Sequence, residues 1–296
     1  MTGTANNPPT DDVLSRREFI KVVLASATVT TAFGMGGITY INRIEPNWIE
    51  IAAVTLRLPR LPAAFSGYRL VQFSDIHMGT WMTRAHLEHI VSLINEQQPD
   101  LIALTGDFVT VEPLAVWAGE LVPPLSTLSA RDGAVAVLGN HDHWTNHNVI
   151  REVIRDSGLI DLNNRVHTLE REGALLHIAG VDDVWEGFAD LDSVLAQTPN
   201  EGAAILLAHE PDFADTSAAS GRFDLQISGH SHGGQVVLPF IGPPRLPRYG
   251  KKYPLGRYQV GDMIQYTNRG VGMVGPFVRF NCRPEITVFT LKSGLV

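Results

Sequence analysis

The chain has 296 residues, with 23 Lys and Arg against 31 Asp and Glu, a formal net charge of −8. That acidic balance argues against nucleic acid as a partner, because nucleic-acid affinity needs a basic footprint. Hydrophobic residues at 44% and charged residues at 18% exclude a disordered tail protein and describe an ordinary globular chain.

Residues 2–12 are polar, with Pro8-Pro9, and read as a disordered leader. Ser15-Arg16-Arg17-Glu18-Phe19-Ile20-Lys21 is similar to the twin-arginine export motif, with Ile20 where Leu is more usual. Such a motif is an address read by a receptor, not a structural element. Residues 22–42 follow without a charged side chain. Their length reaches the ~20 residues that span a bilayer, and no clean Ala-x-Ala site precedes Arg43. A cleaved signal and a retained anchor therefore both stay open. Residues 1–43 are expected to be this export segment, recognised by the twin-arginine machinery, and residues 44–296 a single domain. The protein is expected to work outside the cytoplasmic membrane, in the periplasm or at the cell exterior. The lone cysteine, Cys282, cannot form an intramolecular disulfide and reads as a small core residue.

Beyond residue 44, residues 49–58 read as a first strand and 59–62 as a turn. Thr83 suits the N-cap of a helix with Leu87, Ile90, Val91 and Ile94 on one face. Residues 113–121 read as helical, interrupted by Pro123-Pro124, and residues 146–157 and 190–197 as further helices. Residues 165–182 read as paired strands around Glu172-Gly173, and 256–270 as a hairpin turning at Gly261-Asp262. Residues 285–292 form a closing strand.

Five short runs rich in Val, Leu and Ile (residues 69–73, 101–105, 134–138, 203–207 and 225–227) read as buried strands. Each leads into a polar cluster: Asp75-Ile76-His77, Gly106-Asp107, Gly139-Asn140-His141-Asp142, Ala208-His209-Glu210 and Gly229-His230-Ser231-His232. Strand ends that converge on one rim are where sheet folds place ligands. Carboxylate, imidazole and amide oxygen together suit Mn, Fe or Zn, in numbers sufficient for two ions. In an extended segment residues i and i+2 point to one side, so Asp75 with His77, and His230 with His232, are expected to face a common ion.

The pattern D-x-H, G-D, G-N-H-[DE], a lone His and G-H-x-H, in that order over Asp75 to His232, resembles the calcineurin-like metallophosphoesterase superfamily. The phrases at residues 98–107 and 229–235 look like its exported or membrane-associated bacterial branch. The resemblance implies an α/β (α+β) fold, a two-sheet β-sandwich flanked by helices in αββα order. It implies one divalent ion held by Asp75, His77, Asp107 and His232, and a second held by Asp107, Asn140, His209 and His230, with Asp107 bridging. A hydroxide bridging the ions would attack phosphorus in line, with His141 as general acid and Asp142 orienting its imidazole. Of the other histidines, His86 and His89 read as a solvated helix face. His143 and His147 are candidates for the site's entrance, and Glu210 has no assigned role.

Between Pro239 and Tyr258 lie Arg245, Arg248, Lys251, Lys252 and Arg257 with no acidic residue, interleaved with Phe240, Tyr249 and Tyr253. Such a loop suits a phosphorylated small-molecule or lipid substrate, or a membrane surface, with Arg248 and Lys251 as contacts. Arg269 is a further candidate phosphate clamp, and Asp182-Asp183 resembles a family element. The expectation is thus a dinuclear metal-dependent phosphoester or pyrophosphate hydrolase, with a lipid-linked substrate resembling UDP-diacylglucosamine in view. A broad soluble phosphodiesterase or phosphomonoesterase, and a non-catalytic metal-binding scaffold, are the alternatives.

Overall fold

The computed structural model describes Arg17 and residues 35–110 and 114–294. Its strands, in chain order, are β1 (Glu50–Leu58), β2 (Arg69–Phe73), β3 (Leu101–Thr105), β4 (Ala134–Val137), β5 (Ile160–Asp161) and β6 (Arg165–Arg171). There follow β7 (Ala174–Gly180), β8 (Ala203–Leu207), β9 (Leu225–Ser228), β10 (Gly256–Val260), β11 (Met263–Thr267) and β12 (Glu285–Ser293). The helices are α1 (Arg84–Glu96), α2 (Leu114–Leu125), α3 (Asn140–Thr145), α4 (His147–Asp156), α5 (Leu191–Gln197) and α6 (Ala214–Ala219).

One sheet runs β1-β12-β2-β3-β4-β5 and the other β10-β11-β9-β8-β7-β6. Strands β2 to β5 are mutually parallel, as are β11, β9, β8 and β7. The closing strand β12 lies parallel to β1 and antiparallel to β2. The two expected hairpins are present, with left-handed Glu172 and Gly173 turning the β6–β7 pair.

Alternation of apolar side chains sets the layers, since successive strand residues face opposite sides. Leu101, Ala103, Val135, Val137, Ile205, Leu207, Leu225 and Ile227 share one buried cluster between the sheets. Their neighbours Ile102, Leu104, Ala134 and Ala136 face the other way, against Leu87, Ile90, Val91 and Ile94 of α1 and Ile150 of α4. Ala204 and Leu206 likewise meet Val194 of α5 and Ala214 of α6. The order is helices, sheet, sheet, helices, as expected. Thr83 caps α1 by accepting from the His86 N–H. Helix α2 differs from expectation by running through Pro123 and Pro124 to Leu125. Both prolines sit in its last turn, and the helix ends one residue after them.

Apart from the exposed Arg17, the expected export motif lies outside the described residues, as do residues 22–34. From Met35 the chain is helical, ending in turns at Tyr40–Ile44 and Glu45–Asn47. The Arg279 N–H donates to the Ile41 carbonyl, and the Cys282 N–H to Glu45 Oε1, which docks this segment on the domain. Cys282 is buried and free. Among the described residues no helix is long and apolar enough to cross a membrane.

Candidate metal centre

Because β2, β3, β4, β8 and β9 run parallel within their sheets, their C-terminal ends fall on shared edges, and the two edges meet. His209 Nδ1, after β8, lies 2.6 Å from the Thr105 carbonyl at the end of β3. The His230 N–H, after β9, donates to both oxygens of Asp75, at 3.0 and 3.1 Å. Buried Gln72 spans the sheets by donating to Thr105 Oγ1 and the Ser228 carbonyl. Asp75, His77, Asp107, Asn140, His209, His230 and His232 all arrive at this junction, each 5% exposed or less.

The extended i, i+2 geometry expected of Asp75 with His77 and of His230 with His232 is corrected. All four, and Asp107, have left-handed backbones, with φ of 55°, 50°, 71°, 51° and 58°. The chain leaves each strand by turning sharply, and the turn rather than the pleat aims the side chain. Left-handed non-glycine residues cost roughly 1–2 kcal/mol each and persist only where the surroundings fix them. Close approach is supplied by Gly139 and Gly229. A Cβ on Gly139 would lie 2.7 Å from His209 Nε2, and one on Gly229 would collide with Ser74 Oγ and Asp75 Oδ2.

Two groups of ligand atoms result, joined by a third made of His77, Asp107 and His141. In one, His232 Nε2 lies 3.0 Å from His77 Nε2 and 3.4 Å from Asp75 Oδ1. In the other, His209 Nε2 lies 3.1 Å from Asp107 Oδ2 and 3.2 Å from His230 Nδ1. Asp107 Oδ2 is also 3.5 Å from His77 Nε2, so one carboxylate oxygen adjoins both groups. Within each group the candidate ligand atoms lie no more than 4.8 Å apart.

Carbonyl partners fix the tautomers, because a carbonyl can only accept. Thr105 requires N–H at His209 Nδ1, leaving Nε2 to ligate. The Arg248 carbonyl, 2.7 Å from His230 Nε2, leaves His230 Nδ1 to ligate. Burial drives the imidazoles of His77 and His230 down to about 3 and holds His232 well below the ordinary range, so these three are neutral. Burial likewise raises Asp75 to about 6. Burial opposes charge on Asp107 and His209 too, yet their mutual attraction outweighs it, holding the carboxyl well below and the imidazole well above their ordinary values.

The donor set fits divalent metal. It combines neutral imidazole nitrogens and carboxylates, and adds the buried Asn140 Oδ1, which has no hydrogen-bond partner in the structure. An orphaned acceptor beside converging ligands is what a cation would satisfy.

His141 stands beside this cluster, partly exposed, its ring 4.8 Å from that of His77. The expectation that Asp142 orients its imidazole is corrected. Asp142 is fully buried, and its carboxylate accepts from the N–H groups of Gly139, Asp107, Phe108 and Val109. From the first turn of α3 it reaches back to the Gly139 N–H and across to the loop after β3, whose three N–H groups take its oxygens away from the ring. His141 Nδ1 is held instead by the Thr110 carbonyl at 3.0 Å.

Arg269 is also placed differently from expectation. Its guanidinium pairs with Glu285 and, at 3.1 Å, with Glu50, which leaves it engaged by two carboxylates. The guanidinium of Arg248 lies on the Tyr249 ring, and Lys251 is exposed, so neither side chain joins the ligand cluster. His143 bonds Asp182 at 2.7 Å, and Arg151 bonds the other oxygen of Asp182. Sequence reasoning missed the Arg248 carbonyl, which as a backbone group carries no side-chain signal. It also missed Trp144 and Trp185, whose rings flank His141 and His230.

Residues 68–234 match the model of the calcineurin-like phosphoesterase family. The chain is 37% identical to an uncharacterized metallophosphoesterase, YkuE, of Bacillus subtilis, across 95% of this chain and 98% of that one. It is 29% identical to the phosphodiesterase YaeI of Escherichia coli, across 94% and 100%. It is 30% identical to a transmembrane protein with metallophosphoesterase domain of Danio rerio, across 96% of this chain and 65% of that one. A match over more than half the chain, containing all seven candidate ligands, decides the classification: this chain belongs to the calcineurin-like phosphoesterase family, whose members are phosphoester hydrolases.

Proposed function

We propose that the protein is a dinuclear metal-dependent phosphodiester or pyrophosphate hydrolase that acts outside the cytoplasm on a lipid-linked substrate. The observation that carries the reading is Asp107 Oδ2, adjacent to both ligand groups. Asp75, His77 and His232 would hold one ion, Asn140, His209 and His230 the other, and Asp107 both. Bound divalent ions would supply Lewis acidity and an activated water for attack on phosphorus. The chain's own contribution is positional. Carbonyls lock His209 and His230 with the ligating nitrogen inward. His141, held at Nδ1 by Thr110, keeps Nε2 free, so its imidazolium can give that proton to the departing oxygen without losing its anchor.

Three observations support the finer parts of the reading. Phe240 and Ile241 are 109% and 77% exposed at the tip of a turn closed by Leu238 and Gly242, in the loop that also carries Arg245 and Arg248. An apolar tip beside cations suits a lipid headgroup surface. The twin-arginine-like sequence at residues 15–21 supports export. The name of the Escherichia coli relative favours a diester over a monoester.

The test is a turnover panel on purified Mn-loaded full-length protein with p-nitrophenyl phosphate, its bis-ester and a lipid pyrophosphate, alongside fractionation of producing cells. The expected result is the highest kcat/KM on the lipid pyrophosphate and protein found outside the cytoplasm. Metal-loaded protein that hydrolyses none of the three would favour the scaffold, and activity confined to the small esters would remove the lipid.

A further inference from the structure

Arg279 lies in the loop between β11 and β12, completely excluded from water. A buried guanidinium is costly unless its donors are met. Here they go to backbone carbonyls: Nη1 to Cys282 at 3.0 Å, and Nη2 to Arg269, Gly270 and Gly272 at 2.9, 3.0 and 2.7 Å. A planar fork of N–H groups suits so spread a set, whereas a lysine ammonium carries only three donors on one atom. One side chain thus gathers residues 269–272 and Cys282 around itself.

Those residues lie directly behind two candidate metal ligands. The Val271 N–H donates to the Ser74 carbonyl at 2.9 Å, and the Gly272 N–H to the Asp75 carbonyl at 2.8 Å. A Cβ on Gly272 would lie 2.5 Å from the Asp75 carbonyl oxygen, and one on Gly270 2.8 Å from Asp75 Cβ, so the approach is close. Cys282 Sγ donates to the His232 carbonyl at 3.2 Å. Asp75 and His232 both have left-handed backbones, which persist only where the surroundings fix them. Their carbonyls are fixed by groups from residues that Arg279 gathers. The same loop is tied outward to the N-terminal segment. The Arg279 N–H donates to the Ile41 carbonyl at 2.9 Å, and the Cys282 N–H to Oε1 of buried Glu45 at 2.5 Å.

We propose that Arg279 is a positioning residue for the ion held by Asp75, His77 and His232, and that the seating of residues 41–45 sets Arg279. The inference rests on the dinuclear reading above and adds the N-terminal segment from Ile41 to the working metal centre. Hydrogen bonds run without a break from Ile41 and Glu45 through the Arg279 loop to the backbones of Asp75 and His232. Removing the chain up to Arg43 would therefore take Ile41 out of the brace. Partners that stand behind metal ligands in this way are worth ~10–100-fold in metal affinity.

The test is titration of full-length protein with Mn, followed by calorimetry and by electron paramagnetic resonance, which separates an interacting Mn pair from a single ion. The unaltered protein is expected to take two ions and show the pair. Arg279→Lys should weaken one ion ~10–100-fold, leaving a single-ion spectrum at Mn concentrations that fill the unaltered protein. Glu45→Ala should weaken the same ion, and Glu45→Gln, whose amide oxygen still accepts from the Cys282 N–H, should restore it. Leu176→Ala is the control for a general loss of stability. Leu176 is buried early in β7, beside Ala203 at the start of β8, so its truncation should lower the urea midpoint yet keep the Mn pair. An intact pair in Arg279→Lys or in Glu45→Ala would overturn the proposal, as would equal loss of the pair in Leu176→Ala. Should Arg279→Lys fail to fold, the two Glu45 variants decide alone. An unaltered protein that never takes a second ion would defeat the dinuclear reading, and this inference with it.

Discussion

Gly139→Ala tests whether the ligand cluster depends on close backbone approach. Gly139 has φ −123° and ψ 179°, a conformation alanine adopts without strain. The methyl group is therefore the whole perturbation. It would sit 2.7 Å from His209 Nε2 and 2.8 Å from His209 Cδ2, and inside contact distance of Asp107 Oδ1. Ordinary contact begins near 3.4 Å, so the imidazole must retreat by about 0.7 Å, away from the carboxylate that faces both groups. Displacement on the order of 1 Å at a reacting centre costs ~10²-fold in rate. Overpacking a fully buried site costs about 1–3 kcal/mol, offset by roughly 0.4–1 kcal/mol from a stiffer unfolded chain. The net expectation is about 1–2 kcal/mol lost, with the second metal missing and kcat/KM down ~10²-fold.

The assays are metal stoichiometry by mass spectrometry, kcat/KM on a diester, and urea unfolding. Gly119→Ala supplies the control. Gly119 lies in α2, and a methyl group there would meet nothing within 4 Å, so the change should add up to ~1 kcal/mol and leave metal content alone. Two metals and full turnover in Gly139→Ala would refute the reasoning, because His209 would then have no fixed position to lose.

Three further outcomes follow from the same geometry. His141→Ala should keep both metals yet lose ~10²–10⁴-fold on a diester with a poor leaving group, and far less on a p-nitrophenyl ester; equal losses on the two would remove the acid role. Asp142→Asn replaces a carboxylate that accepts four N–H groups with an amide able to offer one oxygen, and should cost ~2–4 kcal/mol in chemical denaturation. An unchanged unfolding midpoint would show that those bonds hold nothing. The third concerns Asp182, which burial would raise but which the His143 hydrogen bond holds below its usual 3.8. A depressed carboxyl stabilises the fold above the unfolded value and loses that contribution as pH falls through the folded one. The stability gap between wild type and Asp182→Asn should thus be flat above about pH 5 and shrink below 3.8; a gap independent of pH would mean that the pair contributes no charge interaction.

The ligand residues were legible because each follows directly on a strand that packing confines to one register. Leu101 and Ala103 face one layer while Ile102 and Leu104 face another, so the end of β3 cannot slip without exchanging both faces. Asp107 is therefore delivered to a definite place, and the same holds for His209 after Ile205, Leu206 and Leu207. What the pattern could not supply is anything created by the meeting of distant segments. Arg248 reads as a cation, yet its carbonyl is the group that sets the tautomer of His230. Glu210 adjoins a ligand in sequence but points to residues 184 and 185. Asp142 adjoins His141, and adjacency suggested a partnership that the fold does not make, because the N–H groups of Gly139 and of the loop after β3 take its oxygens.

The left-handed conformations of Asp75, His77, Asp107, His230 and His232 give this arrangement its physical logic. Each of these backbones is held in a region that L side chains rarely adopt. Such strain survives only where its surroundings are stiff. Here those surroundings are strands whose side chains are almost wholly excluded from water on both faces, each buried Leu, Ile or Val contributing about 1.5–3 kcal/mol. A softer support would let the turns relax toward ordinary φ and scatter the ligands. The continuous apolar runs before each polar cluster are thus part of the site: they supply the rigidity that keeps five unfavourable residues aimed at one point.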